Sequence, residues 1–368
     1  MDVFALVTRL ETFRAFLAVA GKRGMLIKHF DGKTAYLHGT VEEEIFMRQS
    51  PGYANPGKEK LVCKLRKSIN GLKQSARCWN QALHKVLVAI GFNQCQSDMC
   101  LYIRRNDWGV IMLLIYVDDM LIGCTKEELI NEVFDSMRKE FEVTNLGTVK
   151  HFLGHEFHRE NGYYSLQLTG CIKTMIKQFG LEDCKPSNSI MDPGYVASDH
   201  PSPFFVDTYR YRSLIGALLY VAVNARPDVA ASVSLLGRKV SAPTEMDWTA
   251  AKRVVRYLKG TMELRLRFES GKEWGLIGNS DSDWAGDHAS RRSTTGFLFF
   301  YGSGPIAWAS RRQSCVSLSS MEAEYMALSE TCQELLWLRR LMADFGEDVS
   351  KATTIFEENQ SCLSFVRA

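Results

Sequence analysis

Two adjacent acids interrupt the apolar stretch LLIYVDDMLIGC, residues 113–124. An unpaired carboxylate costs on the order of several kcal/mol to remove from water, so Asp118 and Asp119 need a cation or a hydrogen-bond donor nearby. The short apolar arms on either side, between Gly109 and Gly123, are typical of a hairpin of buried strands. At the tip of such a hairpin the two side chains can be solvated turn residues or ligands of a divalent cation. The pair alone leaves both interpretations open.

A third carboxylate stands at the end of the predicted strand MLIKHFD, residues 25–31. Catalysis with two metal ions needs at least one acid from another strand, to hold ions roughly 3.5 to 4 Å apart. Asp31 is the candidate, because the strand stops there and GKTAY follows. A neighbouring strand, parallel or antiparallel, would bring this side chain beside the hairpin tip.

The composition is that of a soluble globular protein: 368 residues, 46% of them hydrophobic and 24% charged, with a net charge of +3. The ten cysteines occur without a C-x-x-C pair, which indicates reduced thiols of an intracellular protein rather than zinc ligands. The sequence does not distinguish a cytoplasmic particle from the nucleus. The longest apolar stretches, VIMLLIYV and LIGALLYVAV, fall far short of the ~20 residues that span a bilayer, so no membrane partner is predicted.

Apolar periodicity and turn residues predict a mixed order of helices and strands. The capping-box spacing Thr8…Glu11 starts the first predicted helix, and Ser319…Glu322 starts a long one near the end of the chain. Residues 184–207 hold four of the nine prolines and are predicted to be a domain boundary or a long connection. The other predictions are helices over 8–21, 76–91, 125–137, 211–223 and 245–259, and strands over 275–286, 295–302, 305–310, 315–320 and 353–361.

Four basic residues share one side of the predicted helix 245–259. Lys252, Arg256 and Lys259 follow at helical spacing, and Arg253 lies beside them. They can form the solvated flank of a helix, or a stripe that follows the phosphates of a nucleic acid.

Eight blocks in this order resemble the reverse transcriptase and ribonuclease H segments of copia-type LTR retrotransposon Pol polyproteins, and the resemblance covers nearly the whole chain. The blocks are FDGKTAYLHGTVEEEIFMRQSPGY, VCKLRKSINGLKQSARCW, LLIYVDDMLIG, FLGHEFHRENG, YRSLIGALLYVAVNARPDVA, RYLKGT, SDSDWAGDHASRRSTTGF and SSMEAEYMAL. Eight ordered blocks are far more specific than any single motif.

The resemblance implies an α+β fold. A right-hand polymerase palm and a thumb-like helical region would be followed by an RNase H-like α/β domain. We expect the palm over 1–165 with most of the fingers missing, the thumb or connection over 166–270, and the nuclease domain over 271–368.

The resemblance also implies roles for the acids of the palm. Asp31 and Asp118 would bind two Mg²⁺ (or Mn²⁺) ions, and Asp119 would complete the acidic cluster. Tyr36 matches the aromatic steric gate that excludes a 2′-hydroxyl from the nucleotide pocket. An ordinary strand aromatic remains the alternative for Tyr36.

The nucleotide pocket of the family is shaped by a motif that this chain carries as NGLKQSAR, residues 70–77. Gly71 would allow close approach of the backbone, Gln74 would face the template base, and Lys73 and Arg77 would meet phosphate. The chain departs from the family's YGLKQAPR, because Asn70, Ser75 and Ala76 replace Tyr, Ala and Pro. These replacements put the fit of the nucleotide in doubt.

In ribonuclease H domains three acids gather two magnesium ions, and three positions here match them. They are Asp281 in NSDSDWAG, Glu324 in MEAEYMA and Glu358 in FEENQS, where the family has Asp. A longer side chain moves the carboxylate by about an ångström, which can cost ~10²-fold in rate. We therefore expect a recognisable nuclease fold with impaired activity. A solvated position for Glu324 is disfavoured because it borders the predicted buried stripe of Met321, Tyr325, Leu328 and Cys332.

The resemblance implies an RNA-directed DNA polymerase with a ribonuclease H domain. Its partners would be an RNA template, a DNA primer, the RNA/DNA hybrid and dNTPs. Only thirty residues precede Asp31, and the last acidic element of the family lies beyond Ala368, so we expect an element copy broken at both ends. The alternative is a catalytically degenerate remnant that only binds nucleic acid. No oligomeric state follows from the sequence.

Overall fold

The structure is a computed structural model that describes residues 7–160, 162–197, 202–269 and 275–368. Two compact units divide it, one comprising chiefly Arg23–Val149 and the other chiefly Lys150–Ala343 and Glu347–Ala368. The helices are α1 Leu10–Lys22, α2 Ser75–Ala89, α3 Glu127–Arg138, α4 Thr169–Gln178, α5 Pro193–Ala197, α6 Thr208–Asn224, α7 Ala230–Gly237, α8 Glu245–Gly260, α9 Ser320–Phe345 and α10 Gln360–Arg367. The strands are β1 Leu26–Gly32, β2 Phe46–Arg48, β3 Val62–Lys64, β4 Asn93–Gln94, β5 Leu101–Asn106, β6 Gly109–Tyr116, β7 Asp119–Cys124, β8 Val143–Thr148, β9 His151–Phe152, β10 His155–Glu160, β11 Tyr163–Gln167, β12 Leu266–Phe268, β13 Leu276–Asp287, β14 Arg292–Tyr301, β15 Gly304–Arg312 and β16 Thr354–Phe356.

An antiparallel six-stranded sheet forms the first unit, in the order β4-β5-β6-β7-β1-β8. Its central strands β6 and β7 are apolar at nearly every position, so both of their faces are buried. Helices α2 and α3 bury one apolar stripe each in this unit, through Trp79, Leu83 and Leu87 on α2 and Val133 and Met137 on α3. The helices predicted over 76–91 and 125–137 are therefore confirmed with small shifts of their ends, and both pack against the sheet that carries the acids.

Two further sheets belong to the second unit. One has the antiparallel order β12-β11-β10-β9, and the other has the order β15-β14-β13-β16. In the latter, the strands β13, β14 and β15 form an antiparallel meander, while β16 adds in parallel to β13. The long helix α9 lies between β15 and β16 in the chain, and the Thr331 hydroxyl on it donates to Ser280 of β13. This contact joins the helix to β13, the strand that carries Asp281.

Two local features add to or differ from the predictions. Helix α1 begins at Leu10, and the Thr8 hydroxyl of the predicted capping box donates to Asp98 at 3.0 Å. Residues 315–320 form no strand, because Val316 and Leu318 are exposed, the latter by 85%. They lead into the cap of α9, where the Glu322 amide donates to the Ser319 hydroxyl.

The buried stripe of α9 also differs from the prediction. Tyr325 and Cys332 are exposed, and Met321 and Leu328 are half-buried. The stripe that faces the sheet is turned by one to two residues and consists of Ala323, Glu324, Ala327, Thr331 and Leu338. Glu324 is thus inside the stripe, not at its border.

The basic side of α8 is largely occupied by the chain itself. Arg253 pairs with Asp192, the Arg256 guanidinium donates to the carbonyl of Lys185, and the Lys259 ammonium donates to that of Cys184. These contacts fasten residues 182–192 to the helix, so three of the four basic residues already have partners in the connection.

Among the described residues, no helix combines the length and the apolar character required to cross a membrane.

Candidate active sites

The first acid group, Asp31, Asp118 and Asp119, lies at one end of the six-stranded sheet. The predicted hairpin is confirmed, since β6 and β7 pair antiparallel with Tyr116 opposite Asp119, and Asp118 stands in the two-residue turn. Strand β1 is the other neighbour of β7, and it runs antiparallel with Asp31 directly opposite Asp119. Residues opposite each other in an antiparallel ladder have Cα atoms about 4.5 to 5.5 Å apart. The fold therefore brings together three carboxyl-bearing positions that 87 residues of chain separate.

The turn that presents Asp118 has an unusual backbone. Val117 adopts φ +60°, a left-handed conformation that is rare for a β-branched residue. Its carbonyl accepts a hydrogen bond from the indole N–H of the buried Trp79 at 2.7 Å. The Gly32 amide donates to the carbonyl of Asp118 at 2.9 Å. Contacts from β1 and α2 thus hold a strained turn in place, which is common at functional sites.

Electrostatic crowding characterises the first acid group. Burial raises the pKa of Asp31, and the charges of Asp119 and then Asp118 raise it further. The ring nitrogen Nε2 of His29 lies 2.7 Å from Oδ1 of Asp119. Asp118 is exposed, while Asp31 and Asp119 are half-buried, so a cation could reach all three positions from solvent. Carboxylate oxygens are the type of ligand that Mg²⁺ prefers, and a bound cation would relieve the repulsion between these three acids.

The predicted steric gate, Tyr36, lies in a single turn of 3₁₀-helix, Ala35–His38, that follows β1. Its side chain is half-buried and packs against the core of the first unit, and its carbonyl accepts a hydrogen bond from Ser68. The aromatic ring is therefore anchored within the first unit, but on a helical turn and not on a strand.

The predicted pocket residues lie at the start of α2. Gly71 has φ +98° and is exposed, which agrees with a loop that needs glycine. Lys73 is exposed, and Gln74 is the N-cap residue of the helix. Arg77 forms an ion pair with Glu43, so a phosphate would have to compete with this carboxylate.

The second acid group lies in the second unit and combines Asp281 of β13, Glu324 of α9 and the stretch Glu357–Glu358 after β16. The parallel pairing of β13 with β16 sets Asn279 beside Phe356, so that both strands continue into their acids at the same end of the sheet. Glu324 is only 6% exposed, and its Oε2 atom has no hydrogen-bond partner. An acid of this type needs a proton or a cation.

The environment of Glu324 is that of a strongly perturbed acid. Its pKa is raised to about 7, with burial as the largest cause and the charges of Glu357 and Asp281 as the next two. The Ser282 amide lowers this pKa and so opposes the change. Glu358 contributes least among the neighbouring acids. Burial likewise raises the pKa of Glu357. Perturbed carboxylates that share one cleft are typical of active sites.

Within the described residues, no three His, Cys, Asp or Glu side chains are oriented as a ready metal-binding cluster. The donor chemistry nevertheless fits divalent cations in both groups. The first offers three carboxylates at one sheet end. The second offers two buried carboxylate oxygens, on Glu324 and Glu357, that lack any donor.

Sequence reasoning missed two residues of these sites. One is Trp79, since no local signal in the sequence shows that its indole reaches Val117. Glu357 was passed over for its neighbour Glu358. The strand period could have identified it, because alternate residues of β16 face alternate sides.

Comparisons with known proteins agree with the order of the motifs. The family described as reverse transcriptase (RNA-dependent DNA polymerase) matches residues 1–193. A retrovirus-related Pol polyprotein from transposon TNT 1-94 of Nicotiana tabacum is 34% identical over 98% of this chain, and one from transposon RE1 of Arabidopsis thaliana is 32% identical over 97%. The chain spans 28% and 24% of these two polyproteins.

Two further similarities concern a shorter relative and a solved structure. A putative transposon Ty5-1 protein of Saccharomyces cerevisiae is 31% identical over 83% of this chain and is covered along its whole length. The solved structure is a foamy viral protease-reverse transcriptase in complex with dsDNA, with a TM-score of 0.52, 11% identity, and coverage of 93% of this chain and 61% of that one. This likeness shows the fold, which is the expected α+β polymerase-like architecture. The chain therefore belongs to the reverse transcriptase family, as a segment of the copia-type retrovirus-related Pol polyproteins of transposons.

Proposed function

We propose that this chain is the RNA-directed DNA polymerase and ribonuclease H portion of a retrotransposon Pol polyprotein. One observation carries the polymerase assignment: Asp31 faces Asp119 across β1 and β7, beside the turn that presents Asp118. The substrates would be dNTPs, with a DNA primer on an RNA template. The family membership supports nucleotidyl transfer as the reaction.

The residues of the first acid group would act by holding their carboxylates at fixed positions. Two Mg²⁺ or Mn²⁺ ions would bind in each active site. They would lower the pKa of the primer 3′-hydroxyl and neutralise negative charge on the triphosphate. Asp31 and Asp118 would hold the ions, and Asp119, braced by His29, would complete the negative field. Tyr36 would pack under the sugar and exclude a 2′-hydroxyl.

Residues at the start of α2 would orient the incoming nucleotide. Lys73 is exposed and able to meet phosphate, and Gly71 would allow the backbone to approach the base pair, with Gln74 beside it. Arg77 would have to exchange Glu43 for a phosphate oxygen, a swap between two charge-assisted contacts of the same kind.

Primer extension on an RNA template tests the polymerase assignment. We expect Mg²⁺-dependent incorporation that Asp118→Asn lowers by at least about 10²-fold, because one carboxylate of the charge-stabilising set is lost. Asp107→Asn is the matched control, since Asp107 is an exposed acid at the opposite end of strand β6. Equal activity of the two variants would contradict the assignment.

The second acid group supports hydrolysis of the RNA strand of an RNA/DNA hybrid. Asp281 and Glu324 would bind the cations, with a third carboxylate from Glu357–Glu358. A hybrid-cleavage assay with Mg²⁺ or Mn²⁺ should give slow cutting that Asp281→Asn abolishes. Cutting that persists in this variant would exclude the site.

The competing function is a remnant that only binds nucleic acid. Filter binding and dNTP incorporation, measured together on a variant with asparagine at 31, 118 and 119, distinguish the two. Binding that persists in this variant, with no incorporation by either chain, would favour the remnant. Incorporation by the unsubstituted chain alone would favour the enzyme.

A further inference from the structure

The two acids that follow β16 face opposite ways. Exposure alternates along this segment: Ile355 and Glu357 are half-buried, whereas Phe356 and Glu358 are exposed. Successive side chains of a strand point to opposite faces, so Ile355 and Glu357 share the less exposed face. Glu357 therefore stands on the inward face, and Glu358 stands on the outward face.

The inward acid lies in the same acid group as the buried Glu324. Oε2 of Glu357 and Oε2 of Glu324 are both buried, and neither has a hydrogen-bond partner. The other oxygen of Glu357 accepts the backbone N–H of Asn359 at 3.0 Å, which fixes the carboxylate at the start of α10. Its charge raises the pKa of Glu324 more than the charge of any other neighbouring acid does, Asp281 included.

Two buried carboxylate oxygens without donors are unfavourable beside each other unless something positive joins them. Glu324 is 6% exposed, and its Oε2 atom is buried without a hydrogen-bond partner. Besides burial, the largest influences on the pKa values of Glu324 and Glu357 are neighbouring acids, which raise them, and backbone amides, which lower them. A divalent cation with oxygen ligands has the matching chemistry.

We propose that Glu357 supplies the third cation-binding carboxylate of the second acid group, together with Asp281 and Glu324, and that Glu358 stays in solvent. This assignment rests on the proposed nuclease function and changes its ligand set. Glu358 matches the family motif by position, but it lies on the opposite face of the strand from Glu357. It therefore does not face Glu324. The chain presents the preceding carboxylate to the cluster instead.

Cation binding to the full chain tests the assignment without an activity measurement. The parent variant carries Asp31→Asn, Asp118→Asn and Asp119→Asn, which removes the carboxylates of the first acid group from the titration. Glu357→Gln and the matched neighbour Glu358→Gln are added singly, and Mn²⁺ is titrated by calorimetry. We expect Glu357→Gln to weaken Mn²⁺ binding at least tenfold and Glu358→Gln to change it less than twofold.

Hydrogen exchange of α9, with and without Mn²⁺, gives a second readout that also reports folding. Mn²⁺ should slow the exchange in the parent and in Glu358→Gln, but not in Glu357→Gln. Equal losses in both variants, or a loss confined to Glu358→Gln, would overturn the assignment while leaving the nuclease proposal in place. A parent that binds no Mn²⁺ at all would overturn the nuclease proposal and this assignment with it.

Discussion

Both acid groups concentrate negative charge, but the first does so at an exposed turn and the second around a buried side chain. The first is open: Asp118 sits exposed on a strained turn, and Asp119 already has His29 as a neighbour at 2.7 Å. The second is closed around Glu324, which is 6% exposed and leaves a buried oxygen without a partner. The comparison shows that negative charge can be concentrated by backbone geometry or by desolvation. The two groups should therefore fail in different ways when they are altered.

The largest expected effect is a reciprocal loss of two activities in one chain. Asp31→Asn should lower primer extension by at least about 10²-fold and change hybrid cleavage less than twofold, because Asp31 belongs to the first group only. Glu324→Gln should do the reverse. Both rates would be measured on the same preparations.

Glu330→Gln is the control for this pair, since Glu330 lies on the same helix as Glu324 but six residues further along. A variant that removes both activities together would mean that the groups are not independent. That result would break the comparison.

The second prediction concerns stability without metal. Glu324 has a pKa of about 7 in the folded chain and about 4.5 in an unfolded one, so the folded state holds the proton more tightly. The stability that this tighter proton binding gives to the folded state is fully present below pH 4.5. It is lost as the pH rises toward 7. Glu357 at the end of β16 and Asp281 of β13 add to this repulsion, Glu358 adds to it least, and the Ser282 amide opposes it.

In a chelator, the unsubstituted chain should therefore lose on the order of 2 kcal/mol relative to Glu324→Gln between pH 5 and pH 8. Hydrogen exchange of α9 follows this unit by itself, which avoids the assumption of a single two-state transition. Parallel pH profiles for the two chains would show that the charge of Glu324 is compensated by some other group. Glu330→Gln should keep the profile of the unsubstituted chain.

Local signals in the sequence were sufficient for the first acid group. The apolar arms predict the hairpin, and the end of the strand at Asp31 needs only a neighbouring strand, which the structure supplies as an antiparallel pair. The motif order likewise indicated the family and the α+β fold. These features depend on periodicity and on strand ends, both of which are readable over a few residues.

The features that the sequence could not show depended on partners far along the chain. The Thr8 hydroxyl donates to Asp98, 90 residues away. Arg256 of α8 finds the carbonyl of Lys185, 71 residues earlier, where a phosphate-binding stripe had been one interpretation. The strand period separates Glu357 from Glu358, and the pairing of β16 with β13 adds that these acids follow the strand beside the one that carries Asp281. Sequence patterns describe a helix face, but they do not say what will cover it.

The smallest expected effect sharpens the open side of the comparison. Trp79→Phe keeps an aromatic ring in the core but removes the N–H that binds the carbonyl of Val117. Losing one such hydrogen bond costs about 1 kcal/mol, so the turn should hold Asp118 less firmly and kcat of extension should fall about fivefold. KM for dNTP should change little, because Trp79 is buried in the core cluster of the first unit behind the turn.

Leu83→Ala is the matched control for Trp79→Phe. Leu83 is 1% exposed on the same face of α2, so its truncation should destabilise the first unit by about 2 to 5 kcal/mol. It makes no contact with the turn through a hydrogen bond, so the kcat of the folded fraction should stay near that of the unsubstituted chain. If both variants lower kcat in proportion to their loss of stability, Trp79 acts only as core packing. If Trp79→Phe alone lowers it, the indole positions the strained turn, and the first acid group depends on a contact that has no counterpart proposed for the second.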